Sequence, residues 1–168
     1  MNRTRAVLLA SVLVTCIGCD HATKLAAANL LPREGISLAS DFLRLQLVYN
    51  HGAFLGLGAG LPAIARLVIL GGLVPLGLFA TIAWLLRSAT VSRLQLVAIG
   101  SIVGGGLGNW LDRLIHEGRV TDFVSVGLGP LRTGIFNFAD VAVVAGMLLL
   151  LLATHAAERD RGIRSADA

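Results

Sequence analysis

The sequence predicts an all-α membrane protein: four transmembrane helices with a small extramembrane β-sheet on the outer face. Three observations carry that prediction. Of the 168 residues, 55% are hydrophobic and only 14% charged, and the mean hydropathy of +0.79 is too apolar for an ordinary soluble domain. Four apolar stretches each approach the ~20 residues that a helix needs to cross a bilayer. Between them lie two segments in which apolar and polar residues alternate, the period of a half-buried strand.

The first span runs from about Ala6 to Ala28 and is interrupted near its end by Asp20, His21 and Lys24. Phe42 to Tyr49 then alternates, which predicts a strand with Leu43, Leu45, Leu47 and Tyr49 on one face. Asn50-His51-Gly52-Ala53-Phe54 reads as a turn leading out of it, with the Asn50 amide on offer. The second span, about Leu67 to Leu86, carries Pro75, which predicts a kink. The third, about Leu94 to Leu111, contains Gly104-Gly105-Gly106-Leu107-Gly108. That run lacks the strand-to-helix setting and the Lys-Ser/Thr of a phosphate loop, so it reads as a close-packing face. Arg119 to Val126 alternates more weakly and predicts a second short strand; the fourth span runs from about Ile135 to Ala153. Residues 1–157 read as one domain, followed by a charged tail, 158–168, expected to be disordered and cytoplasmic.

Four spans place both termini on one side. Arginine and lysine divide seven to seven between the sides, but on the terminal side they crowd into short flanks, beginning with Met-Asn-Arg-Thr-Arg. Short flanks are where the positive-inside rule acts most strongly, so both termini are expected in the cytoplasm and the loops between on the outer face.

Several chemistries are disfavoured. The net charge of +4 comes from scattered arginines, Lys24 being the only lysine, and no basic stripe with interleaved aromatics marks a nucleic-acid partner. Cys16 and Cys19 have redox-motif spacing without its βαβ context, and read as small apolar helix residues. Residues 1–20 imitate a lipoprotein signal peptide ending at Cys19, but three further spans follow. His116-Glu117 begins a zinc-protease motif whose second histidine is replaced by Val120. With the histidines scattered, neither a metal site nor another cofactor is expected. A Ser–Lys protease would need a serine beside Lys24, and none lies near it in the sequence.

The informative groups are acids at the mouth of the last span. Asp122 lies in Val120-Thr121-Asp122-Phe123, and Asp140 closes Phe136-Asn137-Phe138-Ala139-Asp140. A carboxylate at mid-bilayer costs roughly 2.5–3.5 kcal/mol and less near the interface, so such groups have partners, a wet cavity or a task. Two together suggest a pair that shares one proton and activates a water. The plainer readings are a solvated loop carboxylate for Asp122 and helix capping for Asp140, with Asn137 at the N-cap and Asp140 three residues on. Asn109, Asp112 and Arg113 share one helical face, as a polar cluster serving the acids or as a local Asp112–Arg113 ion pair. Asp20 and Lys24, four apart, either support the site or mark the interface. A proton-coupled transporter is the competing function, since membrane carboxylates also relay protons, but no internal repeat of the transporter kind is present. A non-catalytic assembly factor is the other.

In this order, Asp20-x-x-Thr23-Lys24, Asn50-x-Gly52-Ala53, Gly108-Asn109-x-x-Asp112-Arg113, Asp122-Phe123 and Phe136-Asn137-x-Ala139-Asp140 resemble the blocks of the lipoprotein signal peptidase (signal peptidase II) family. The resemblance covers nearly the whole chain except the tail. It implies a four-helix intramembrane aspartyl endopeptidase that removes signal peptides from diacylglyceryl-modified prolipoproteins, cutting before the lipidated cysteine. It implies Asp122 and Asp140 as the catalytic pair, with Asn50, Gly52, Asn109, Asp112, Arg113, Asn137, Asp20 and Lys24 in support. It also implies lipid-modified prolipoprotein and membrane lipid as partners, and a monomer is expected. The chain departs from the family pattern at His21, at Thr121 and at Phe54-Leu55, where the second block is one alanine short. These departures bear on substrate more than on chemistry, as in a divergent paralogue.

Overall fold

The computed structural model describes residues 3–53 and 56–166, so Phe54 and Leu55 of the turn lie outside the described residues. Among the described residues, four helices are long and apolar enough to cross a membrane: Arg3–Leu30, Ala63–Arg87, Arg93–Ile115 and Phe138–Ala156. The first is α1 (Arg3–Leu30). The second is composite: α2 (Ala63–Arg66), a π-helical segment (Leu67–Leu73) and α3 (Val74–Arg87). The third is α4 (Arg93–Ile115) and the fourth begins α5 (Phe138–Ala166).

The α5 backbone is helical to Ala166, over most of the residues read as the tail. Alanine, glutamate and arginine are good helix formers, and no glycine or proline falls between Gly146 and Gly162. Residues 167 and 168 lie outside the described residues.

Where Pro75 was expected to kink the span, the helix changes type just before it, from π-helical to α-helical. Proline leaves the carbonyl four residues back without its usual donor. That carbonyl, Gly71 O, accepts from the Trp110 indole Nε1 at 3.2 Å, which ties the second span to α4.

The glycine run of α4 is a three-way contact. A Cβ on Gly104 would meet Cys16 of α1, on Gly105 the Ala139 carbonyl and Val143 of α5, and on Gly106 Leu78 of α3. Small residues let helix backbones approach in a membrane, and here they set α4 at the centre. On α1 the buried residues Leu9, Cys16, Asp20, Lys24 and Ala27 form one stripe at helical spacing. An apolar core of Leu9, Leu85, Val91 and Leu96 closes the terminal end of the bundle. There α4 starts with a complete capping box between Ser92 and Gln95.

At the other end lies an antiparallel sheet in the order β1-β2-β3-β4, formed by β1 (Ile36–Leu38), β2 (Leu43–Asn50), β3 (Val120–Leu128) and β4 (Leu131–Arg132). β2 and β3 were the two predicted strands. One feature of β2 was not: its pairing with β3 shifts between Leu45 and Val48. The shift corrects the predicted face. Leu43, Leu45, Val48 and Asn50 pair with Val126, Val124, Asp122 and Val120, while Tyr49 faces outward. A bulge inserts one residue and reverses the alternation beyond it, which turns Asn50 toward Asp122.

Candidate active site

Asp122 is delivered by the strand β3 and Asp140 by the first turn of α5, and both are buried, 2% and 6% exposed. Asn137, the residue before α5, joins them. Its side-chain Nδ2 donates to Asp122 Oδ1 at 2.6 Å. Its backbone N–H donates to Asp140 Oδ2 at 3.1 Å, and its Oδ1 accepts from the Asp140 N–H at 3.0 Å. The last two bonds are a reciprocal helix cap, the arrangement that the capping reading of Asp140 expected, and the cap leaves the acid next to Asp122's partner Asn137. The two carboxylates line one cavity of about 10 Å³ with Asn50, Gly52, Asn109 and Arg113.

Each acid has a second amide. Asn50 Nδ2 donates to Asp122 Oδ2 at 3.0 Å, and Asn109 Nδ2 donates to Asp140 Oδ1 at 3.0 Å. Burial pushes the Asp122 carboxyl up to about 6; the Asn50 hydrogen bond pulls it back and the nearby charge of Asp140 raises it further.

Asn109 is oriented from behind. Its Oδ1 accepts from Lys24 Nζ and from Asn137 Nδ2, each at 3.0 Å, which leaves Nδ2 to face Asp140. The Lys24 ammonium also meets Asp20 Oδ2 at 2.8 Å and Asp112 Oδ2 at 3.3 Å, so its three protons have three acceptors. Asp20 Oδ1 in turn accepts from the Ala139 N–H at 3.0 Å, which fixes α1 against the start of α5. A Cβ on Gly108 would stand 2.8 Å from Asp20 Oδ2, so this glycine makes room for the acid.

Arg113 meets backbone rather than acids. Nη2 donates to Gly52 O at 2.7 Å and Nη1 to Asn109 O at 3.1 Å. This pins the Asn50–Ala53 turn onto α4. Gly52 is required by close approach, since a Cβ there would lie 2.7 Å from the carbonyl oxygens of Gly56 and Leu57. The local Asp112–Arg113 pair weighed from spacing gives way to another arrangement, in which Asp112 pairs with Lys24 and with His116.

All ten residues singled out in the sequence therefore meet at this end of the bundle. Two more belong with them. Thr121 donates its backbone N–H to Asp112 Oδ2 at 2.5 Å, with its hydroxyl 3.4 Å from Oδ1. His116 Nδ1 lies 2.7 Å from Asp112 Oδ1. The i,i+4 spacing of Asp112 and His116 was a readable signal; the Thr121 contact, across the turn from α4 to β3, left none.

Residues 12–156 match the family model of signal peptidase (SPase) II. The chain belongs to the signal peptidase II family. A lipoprotein signal peptidase of Mycobacterium avium is 36% identical over 154 residues, 88% of this chain and 79% of that one. One from Treponema denticola is 38% identical over 130 residues, 74% of this chain and 75% of that one. In fold, the chain is similar to a bacterial membrane enzyme solved by the in meso method at 2.3 Å resolution. The TM-score is 0.71 at 24% identity, over 93% of this chain and 90% of that one.

Proposed function

We propose that Asp122 and Asp140 are the catalytic pair of this aspartic-type endopeptidase, which removes signal peptides from lipid-modified prolipoproteins by cutting before the diacylglyceryl cysteine. The observation that carries the assignment is the double engagement of Asn137, which holds both carboxylates at the edge of one cavity. Two carboxylates so placed in a poorly solvated site do not both ionise cheaply. One keeps a proton and the other takes a proton from a water held between them. That water attacks the scissile carbonyl carbon, and the protonated member donates to the carbonyl oxygen. The pair titrates as a unit, so its proton belongs to both.

Asn50, Asn109 and Asn137 hold the acids in place. Arg113 holds the turn that faces them, and Lys24 with Asp20 and Asp112 braces Asn109. An apolar groove of about 410 Å³ runs from Asp140 along Val141, Val144, Ala145 and Leu148, with Phe136 at its side. Its length and lining suit a signal helix or an acyl chain. With short basic flanks at the terminal end, the termini face the cytoplasm and the pair sits at the outer rim.

The test is cleavage of a diacylglyceryl-modified precursor by Asp122→Asn and Asp140→Asn. Each is expected to insert normally and to lose turnover by at least about 10²–10⁴-fold, the range of general acid–base contributions. Substantial cleavage by either variant would refute the pair.

A further inference from the structure

We infer that His116 is a positioning residue for this reaction, holding the buried acids and lysine in the balance that aims Asn109 at Asp140. The inference rests on the assignment of Asp122 and Asp140 above. The buried cluster has two carboxylates, Asp20 and Asp112, and one ammonium, Lys24, each no more than 3% exposed. Both acids compete for that ammonium, and Asn109 depends on a share of it.

His116 takes up the claim of Asp112. Its Nδ1 stands 2.7 Å from Asp112 Oδ1, an oxygen whose other partner is the Thr121 hydroxyl at 3.4 Å. The same Nδ1 lies 3.2 Å from the Asp112 backbone carbonyl; a carbonyl and an ionised carboxylate only accept, so the shared proton is on Nδ1, between the two oxygens of Asp112. Without that donor, Asp112 draws harder on Lys24, and the ammonium is pulled from Asn109 Oδ1. The Asn109 amide then loses the contact that keeps its Nδ2 on Asp140.

His116 also touches the other arm of the site. Its ring lies 5.6 Å from that of Tyr49, which also meets the Arg119 guanidinium, 5.2 Å from the ring centroid. Tyr49 is next in the chain to Asn50, the amide on Asp122. The imidazole is 33% exposed, whereas Asp20, Lys24 and Asp112 are sealed. It is thus the outward-facing end of a chain running through Asp112, Lys24 and Asn109 to Asp140.

The experiment separates the ring from its hydrogen bond. His116→Phe keeps the packing on Tyr49 and removes the bond to Asp112; His116→Gln keeps a donor and removes the ring. Full-length variants are compared in micelles on a diacylglyceryl-modified precursor, with kcat and KM resolved and thermal unfolding recorded. His116→Phe is expected to lower kcat roughly tenfold, the scale of one hydrogen bond to a charged group, with KM little changed. His116→Gln is expected to restore most of the rate. Wild-type kcat in His116→Phe, equal losses in both variants, or a change confined to KM would overturn the inference. Asp122→Asn and Asp140→Asn in the same assay separate the readings. If they cleave, the pair is wrong; if they are inactive and His116→Phe is not impaired, only the role of His116 falls.

Discussion

The two ends of this helix bundle are built on opposite principles. At the terminal end, Leu9, Leu85, Val91 and Leu96 pack by shape alone. At the other, Asp20, Lys24, Asp112, Thr121, Asp122, Asn137 and Asp140 are just as deeply buried, and direct hydrogen bonds fix their arrangement. Apolar packing tolerates exchange of one hydrophobic residue for another of similar volume. A buried polar network does not, because each member removed strands a partner. The stability of the bundle and the geometry of its site are therefore separable, and mutation can show it.

The largest effect is the loss of turnover in Asp122→Asn and Asp140→Asn. Next comes Lys24→Met, which leaves Asp20 and Asp112 without their shared cation. Breaking a buried pair from one side costs about 3–5 kcal/mol, so a marked drop in thermal stability is expected together with a rate loss of roughly 100-fold, since Asn109 loses its brace. A Lys24→Met enzyme with wild-type kcat would show that Asn109 is oriented by Asn137 alone.

A smaller effect follows from pH. Burial, opposed by the Asn50 bond and reinforced by the charge of Asp140, raises the Asp122 carboxyl to about 6. A raised carboxyl keeps its proton until the pH passes that value, so the proton that the pair shares is increasingly lost from Asp122 above it. The kcat/KM, which reports the free enzyme, should fall as the pH rises through about 6. By linkage, the same group contributes stability that is complete below its unfolded value near 4 and is lost as the pH rises through about 6. A flat kcat/KM from about pH 5 to 8 would contradict this.

The smallest effect on chemistry is expected from Leu96→Ala at the far end. The cavity should cost about 2–4 kcal/mol of stability and leave kcat within about twofold of the parent, because none of the bonds around Asn109 and Asn137 runs through it. A kcat that falls with stability would mean the two ends are coupled.

Much of this was legible in the sequence because it is written in local spacing. The spans follow from apolar length, and the Asp20–Lys24 pair and the Asn137–Asp140 cap from helical offsets of four and three. The Gly104–Gly108 run announced close packing. What escaped depends on partners distant in the chain. The bulge in β2, which turns Asn50 inward, exists only against β3, so strict alternation placed Tyr49 on the wrong face. The contacts of Lys24 with Asn109 and Asp112 join helices 85 and 88 residues apart. The end of α5 is a different case: its charged composition resembles a disordered segment, and its backbone continues the helix that a long apolar stretch nucleates.

The central claim is that Asp122 and Asp140 act as one unit through a shared proton and a shared water. The most direct measurement is the residual cleavage rate of Asp122→Asn, Asp140→Asn and the double variant on the same diacylglyceryl-modified precursor. Groups that act together give single losses about as large as the double loss, so the three rates should be nearly equal. A double variant slower than either single by the product of the two losses, or a single variant with much of its rate intact, would contradict the account.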